Sequence, residues 1–128
     1  MRRTLIKGAW ICVKENELIS QDVLFDANGI IEIKDEITAE ADCVIFAQGC
    51  LLSSGLIDVH VHLREPGFVA KETIESGTRA AAHGGFTTIM AMPNVKPVPD
   101  NPQIMEAYQK DILAKAHVQV IPYASITK

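Results

Sequence analysis

The sequence predicts an α/β fold preceded by a β-rich segment, and three observations predict it. From Gly55 onward, strand-like and helix-like stretches alternate, which is the pattern of βαβ units around a parallel sheet. Before Gly55, apolar residues fall in short runs separated by turn-forming residues. At the junction, residues 57–64 alternate apolar and ionisable side chains without a break, the period of a β-strand.

In the first segment, Leu5, Ile6, Trp10, Ile11 and Val13 give short strands, with Gly8 and the polar run Lys14 to Glu17 expected to break them. Val23-Leu24-Phe25 and Ile30 to Ile33 flank Asp26-Ala27-Asn28-Gly29, and Asn-Gly between two β-prone runs signals a hairpin. Val44-Ile45-Phe46 and Leu51-Leu52 follow, with Gly49 as a turn. These strands are few and short for a self-sufficient sandwich.

In the second segment, the spacing predicts a helix over Ala70–His83, with Ile74, Gly77, Thr78 and Ala81 on one face and Gly84 as its stop. A strand follows at Phe86–Met92, left through Pro93-Asn94. Asn101 is an expected N-cap with Pro102 at the first helical position, and Ile104, Tyr108, Ile112 and the stem of Lys115 form that helix's face. His117–Ala124 reads as a third strand, which would leave Val118 and Val120 on an open edge.

The alternating stretch carries the chemistry. Ile57, Val59, Val61 and Leu63 share one face of the strand; Asp58, His60, His62 and Arg64 share the other. Two imidazoles at i and i+2 lie about 6–7 Å apart at Cα and can lean onto one metal ion. Arg64 adds a fixed positive charge, and Glu65-Pro66-Gly67 ends the strand. Ligands of parallel sheets lie beyond the carboxyl ends of the strands. His60, His62, Arg64 and Asn94 all fall at or just past such an end. Asp58 reads as a supporting residue, and His83 and His117 as having no role.

Bulk properties narrow the classes. The 128 residues are 48% hydrophobic and 22% charged, ordinary for a globular protein, and a net charge of −4 argues against nucleic acid or an anionic membrane as partner. No apolar run is long enough to span a membrane, and Lys7 interrupts the only signal-peptide-like start. Cys12, Cys43 and Cys50 show no CxxC spacing and fit a reducing cytoplasm.

The motifs resemble those of dihydroorotase, in the amidohydrolase superfamily. The resemblance is carried by Gly55-Leu-Ile-Asp-Val-His-Val-His-Leu-Arg-Glu-Pro-Gly67, Lys71-Glu-Thr-Ile-Glu-Ser-Gly77, Gly84-Gly-Phe-Thr-Thr88, Met92-Pro-Asn94 and Pro97-Val-Pro-Asp-Asn101. Ser54 stands where the family usually has Pro. The resemblance implies a TIM-type (β/α)8 barrel with a small β-sandwich built from both ends of the chain. Residues 1–53 would be the N-terminal part of the sandwich, and 54–128 the first βαβαβ portion of the barrel, incomplete as given. It also implies His60 and His62 as metal ligands, normally to zinc (one or two ions), and Arg64 and Asn94 as the grip on a substrate carboxylate. Allantoinase-like members carry Asn at the position of Arg64. The implied reaction is reversible hydrolysis of dihydroorotate to N-carbamoyl-L-aspartate in pyrimidine synthesis.

A full barrel takes about 250 residues. By resemblance, the bridging ligand (a carbamylated Lys or an Asp), further His ligands and the catalytic Asp lie beyond Lys128, so no catalytic residue is expected within this chain. The chain reads as part of a longer enzyme or the product of a truncated gene, inactive by itself and prone to self-association. Two alternatives stay open: an allantoinase- or hydantoinase-type cyclic amidase, and a non-catalytic module that assembles with a partner enzyme. A homo-oligomer and an association with aspartate transcarbamoylase are the expected assemblies.

Overall fold

The computed structural model describes residues 1–15 and 17–127. They form two compact units, Met1–Ser54 and Gly55–Lys128.

The first unit is one mixed sheet of β1 (Thr4–Lys14), β2 (Glu17–Asp26), β3 (Gly29–Lys34), β4 (Cys43–Phe46) and β5 (Leu51–Leu52). Its order is β3-β2-β1-β4, and β5 also pairs with β1. This single layer fits the expected part of a sandwich. Gly8 does not break the first strand; it bends it. β1 runs unbroken for 11 residues with a register shift between Ile6 and Ala9, and Gly8 has φ 70. Glycine adopts that conformation without a side-chain clash. Of the polar run expected to separate the first two strands, Lys14 pairs with Glu17 and Asn16 lies outside the described residues.

The hairpin between β2 and β3 forms one residue earlier than Asn-Gly suggests. Ala27 and Asn28 make the turn, Asp26 Oδ1 accepts from the Asn28 amide (2.7 Å), and Gly29 opens β3 with φ 127.

Asp22 is the buried polar residue of this sheet, only 3% exposed. Its Oδ1 accepts from the Gly8 amide (2.9 Å) and its Oδ2 from the Ile37 amide (3.0 Å), with Lys7 Nζ at 3.5 Å. One carboxylate thus satisfies the bulge and the segment after β3. Burial pushes its pKa up, but the two amides and Lys7 outweigh burial and hold it below the ordinary value. Leu5, Leu24 and Ile37 form the small core beside it.

The second unit is a three-stranded parallel sheet, β6 (Leu56–Val61), β7 (Phe86–Ala91) and β8 (Gln119–Pro122), in the order β6-β7-β8. Helices α1 (Ile74–His83) and α2 (Pro102–Lys115) provide the crossovers. Leu63, Ile74, Ile89, Ala91, Val95, Tyr108 and Ile112 make one core, which centres the helices on β7.

α1 begins four residues later than the spacing predicts. Thr73 caps it: Thr73 Oγ1 accepts from the Ser76 amide (3.0 Å), and Ser76 Oγ accepts from the Thr73 amide (3.2 Å). This is a capping box built with Ser in place of Glu. α2 begins as expected, with Asn101 Oδ1 accepting from the Ile104 amide at 3.0 Å. The third strand is shorter than predicted, and Val118 and Val120 pack on the core; Ile121 and Tyr123 are the exposed apolar residues there.

β6 forms where the alternation predicts a strand, but alternation does not set burial. Its apolar face is not uniformly buried: Leu63 is 3% exposed, but Ile57 and Val59 are 61% and 59% exposed. α1 and α2 cover β7, the middle strand, and among the described residues nothing covers the outer half of β6. No helix among them is long and apolar enough to cross a membrane.

Candidate metal and carboxylate site

β6 and β7 run parallel, so their carboxyl ends adjoin; the Met92 amide donates to Val61 O (2.9 Å) where both strands finish. His60 lies on β6, His62 one residue past it, and Asn94 in the loop after β7. The sequence pattern anticipates this meeting of two loops.

The His60 and His62 rings stand edge to face with centroids 5.2 Å apart. Both residues are exposed. His62 Nδ1 donates to Asn94 Oδ1 at 2.8 Å, which leaves Nε2 with its lone pair free for an ion. Asn94 still has its NH₂ to offer a ligand. Asp58 takes no place beside the rings: its Oδ1 accepts from the His60 amide (2.9 Å), a local bond that fixes the strand end. Two neighbouring imidazoles suit zinc as part of a ligand set. Among the described residues no third His, Cys, Asp or Glu joins them.

Arg64 sits on the same loop, half-buried, with no side-chain hydrogen bond or ion pair among the described residues. Its backbone is unusual. Arg64 has φ 66, and the Glu65 amide donates to Leu63 O at 2.8 Å, closing a γ-turn of the rare positive-φ kind. Such a conformation in a non-glycine residue costs about 1–3 kcal/mol and persists only where its surroundings hold it.

Those surroundings are specific. The Phe68 amide donates to Arg64 O (2.9 Å), and the Lys96 amide donates to Pro66 O (2.9 Å), stitching the Arg64 loop to the Asn94 loop. Gly67 makes this approach possible: it has φ 97, and a Cβ there would lie 2.6 Å from Lys96 O. Glu65 completes the support. Its Oε2 accepts from the Ile74 amide, the first of α1, at 2.8 Å, and its Oε1 accepts from Lys115 Nζ at the end of α2, at 2.6 Å.

The Glu65 side chain is 13% exposed. Burial pushes its pKa up; Lys115 and the Ile74 amide outweigh burial and hold it below the ordinary value. Lys115 is raised in turn, chiefly by its hydrogen bond to Glu65. Tyr108 lies within the field of this pair. Burial, and then the Glu65 charge, push its phenol up to about 12, and its Oη has no hydrogen-bond partner among the described residues.

Sequence reasoning treats Glu65 only as part of a strand-ending turn and Lys115 only as a helix stem. The ion pair joins residues 50 apart, so no local spacing announces it. The bond to α1 is equally hidden, since Glu65 precedes the Ile74 amide by nine residues and the adjacent cap is Thr73.

Comparison with known proteins places the chain in a family. The Dihydro-orotase-like family matches residues 49–128. A dihydroorotase of Bacillus cytotoxicus is 52% identical over 123 residues, covering 96% of this chain and 29% of the relative. One of Macrococcus caseolyticus is 48% identical over 125 residues, covering 98% and 29%. Among solved structures, an L-hydantoinase (dihydropyrimidinase) from Arthrobacter aurescens superposes with TM-score 0.85 at 24% identity, over 97% of this chain and 28% of that one. A D-hydantoinase gives TM-score 0.75 at 32% identity, over 94% and 26%. The chain thus spans about 29% of the length of the curated relatives it matches. With strand-end histidines, a strained arginine turn and these likenesses together, the chain belongs to the dihydro-orotase-like family.

Proposed function

We propose that this chain supplies the first metal ligands and the carboxylate grip of a dihydroorotase, acting within a TIM-type barrel begun by β6, β7 and β8. The reaction is reversible hydrolysis of dihydroorotate: water adds to a ring carbonyl, the ring C–N bond breaks, and the nitrogen takes a proton to give N-carbamoyl-L-aspartate. The observation that carries the reading is the His60–His62–Asn94 cluster at adjoining strand ends, beside Arg64.

His60 and His62 would hold zinc through ring nitrogens, with Asn94 fixing the tautomer of His62. When bound, zinc supplies Lewis-acid polarisation of the carbonyl. Arg64 grips the substrate carboxylate through two parallel charge-assisted hydrogen bonds, and the Asn94 NH₂ donates beside it. Holding the carboxylate end of the ring at Arg64 and Asn94 would orient the scissile carbonyl. The bridging ligand and the acid/base carboxylate come from outside residues 1–128. The proposed setting is cytoplasmic, with a homo-oligomer and aspartate transcarbamoylase as candidate assemblies.

A second reading, a hydantoinase-type cyclic amidase, is favoured by the likeness to hydantoinase structures. Arg64 favours a substrate that bears a carboxylate, which hydantoin itself lacks. The test is turnover by the full gene product. Dihydroorotate hydrolysis that a chelator abolishes and zinc restores is expected; turnover of hydantoin with none of dihydroorotate would overturn the reading.

A further inference from the structure

The γ-turn at Arg64 needs an external restraint, and the restraint with the greatest reach is the next residue. The Glu65 carboxylate is mostly buried, and each of its oxygens is bound to a different helix: Oε2 to the Ile74 amide at the start of α1, Oε1 to Lys115 Nζ at the end of α2. Both helices are packed on β7 by the same core, so Glu65 is anchored to the rigid part of the unit. Its own amide closes the turn on Leu63 O. One residue therefore joins the strained turn to two fixed points.

We propose that Glu65 is a positioning residue for Arg64: with Lys115 and the Ile74 amide it holds the positive-φ turn that presents the guanidinium to the substrate carboxylate. This rests on the dihydroorotase reading above. The charge on Glu65 matters as well as its shape, because a neutral side chain could still accept from the Ile74 amide but would hold Lys115 more weakly. Without the anchor, the turn is free to relax toward ordinary negative φ, and the guanidinium shifts while the histidines, on the strand side of Leu63, stay in place.

The experiment compares Glu65→Gln, Lys115→Met and Lys115→Arg in the full, zinc-loaded gene product, measuring KM, kcat, zinc content and Tm. A displaced grip weakens ground-state capture of dihydroorotate. Glu65→Gln and Lys115→Met should raise KM about 10-fold with kcat little changed and zinc content intact, and Lys115→Arg should restore KM. Lowered Tm with unchanged KM would overturn the proposal, because Glu65 would then serve only the fold. Loss of zinc in Glu65→Gln would overturn it too, by assigning the residue to the metal side. A wild-type protein without dihydroorotate turnover would instead remove the dihydroorotase reading and this inference with it, an outcome distinct from either.

Discussion

Asp22 and Glu65 are the same device used in two different settings. Each is a mostly buried carboxylate that accepts backbone N–H groups and pairs with a lysine. Asp22 joins a glycine bulge to the segment after β3, and its partners among the described residues, Gly8, Ile37 and Lys7, lie outside the candidate site. Glu65 follows a strained arginine at a strand end that carries two histidines. The comparison teaches that a buried ion pair does not by itself mark a functional site. What distinguishes Glu65 is the neighbouring backbone strain at Arg64, which Asp22 lacks in its neighbours except at Gly8, where glycine removes the cost.

The two settings can be separated by probes that see one unit each. Trp10, the sole tryptophan, lies on β1 and reports the first unit. Both helices found among the described residues lie in the second, so ellipticity at 222 nm reports that one. The largest effect on stability is expected from Asp22→Ala, which strands the Gly8 and Ile37 amides and the Lys7 charge. It should lower the unfolding free energy of the first unit by roughly 3–5 kcal/mol, seen as an earlier Trp10 transition in urea with the 222 nm transition unmoved. A coincident shift of both signals would mean that the units unfold together.

Gly67→Ala comes next. The added Cβ meets the Lys96 backbone and forces a positive φ on alanine, so the second unit should lose about 1–3 kcal/mol at 222 nm and nothing at Trp10. Asn101→Ala should cost the second unit about 1 kcal/mol through loss of the α2 cap.

pH sharpens the contrast further. Asp22 and Glu65 both have folded pKa values below their ordinary ones, 3.8 and 4.5. Their stabilisation is complete above those values and is lost as pH falls through the lower folded ones. Acid should therefore weaken both units, the Glu65 contribution beginning to fail at the higher pH. Tyr108 and Lys115 have raised values, so each contribution is whole below the group's ordinary value and is lost as pH rises through the raised one, which for Tyr108 is about 12. Alkali should act through them on the 222 nm signal alone; an equal Trp10 response would contradict that assignment. Thermal melts across pH 2 to 12, followed by both probes, check each direction.

Much of this was legible in the sequence, and the reasons differ by element. The βαβαβ order, the Asn101 cap and the meeting of His60, His62 and Asn94 followed from period, capping and the strand-end rule, all of which are local or topological. Four features were not. The exposed Ile57 and Val59 depend on what covers a strand, which alternation does not encode. The late start of α1 turned on a Thr-Ser capping pair that helical spacing overruns. The Glu65–Lys115 pair depends on two helix positions brought together only in three dimensions. The role of Asp22 escaped for the same reason, since its partners are 14 and 15 residues away on separate segments.

The carboxylate grip is tested most directly by Arg64→Ala in the full gene product. Removing one partner of a charge-assisted pair should lower kcat/KM for dihydroorotate about 100-fold or more, mostly through KM, with bound zinc unchanged. Unaltered kcat/KM would show that Arg64 holds no substrate and would contradict the assignment of the site.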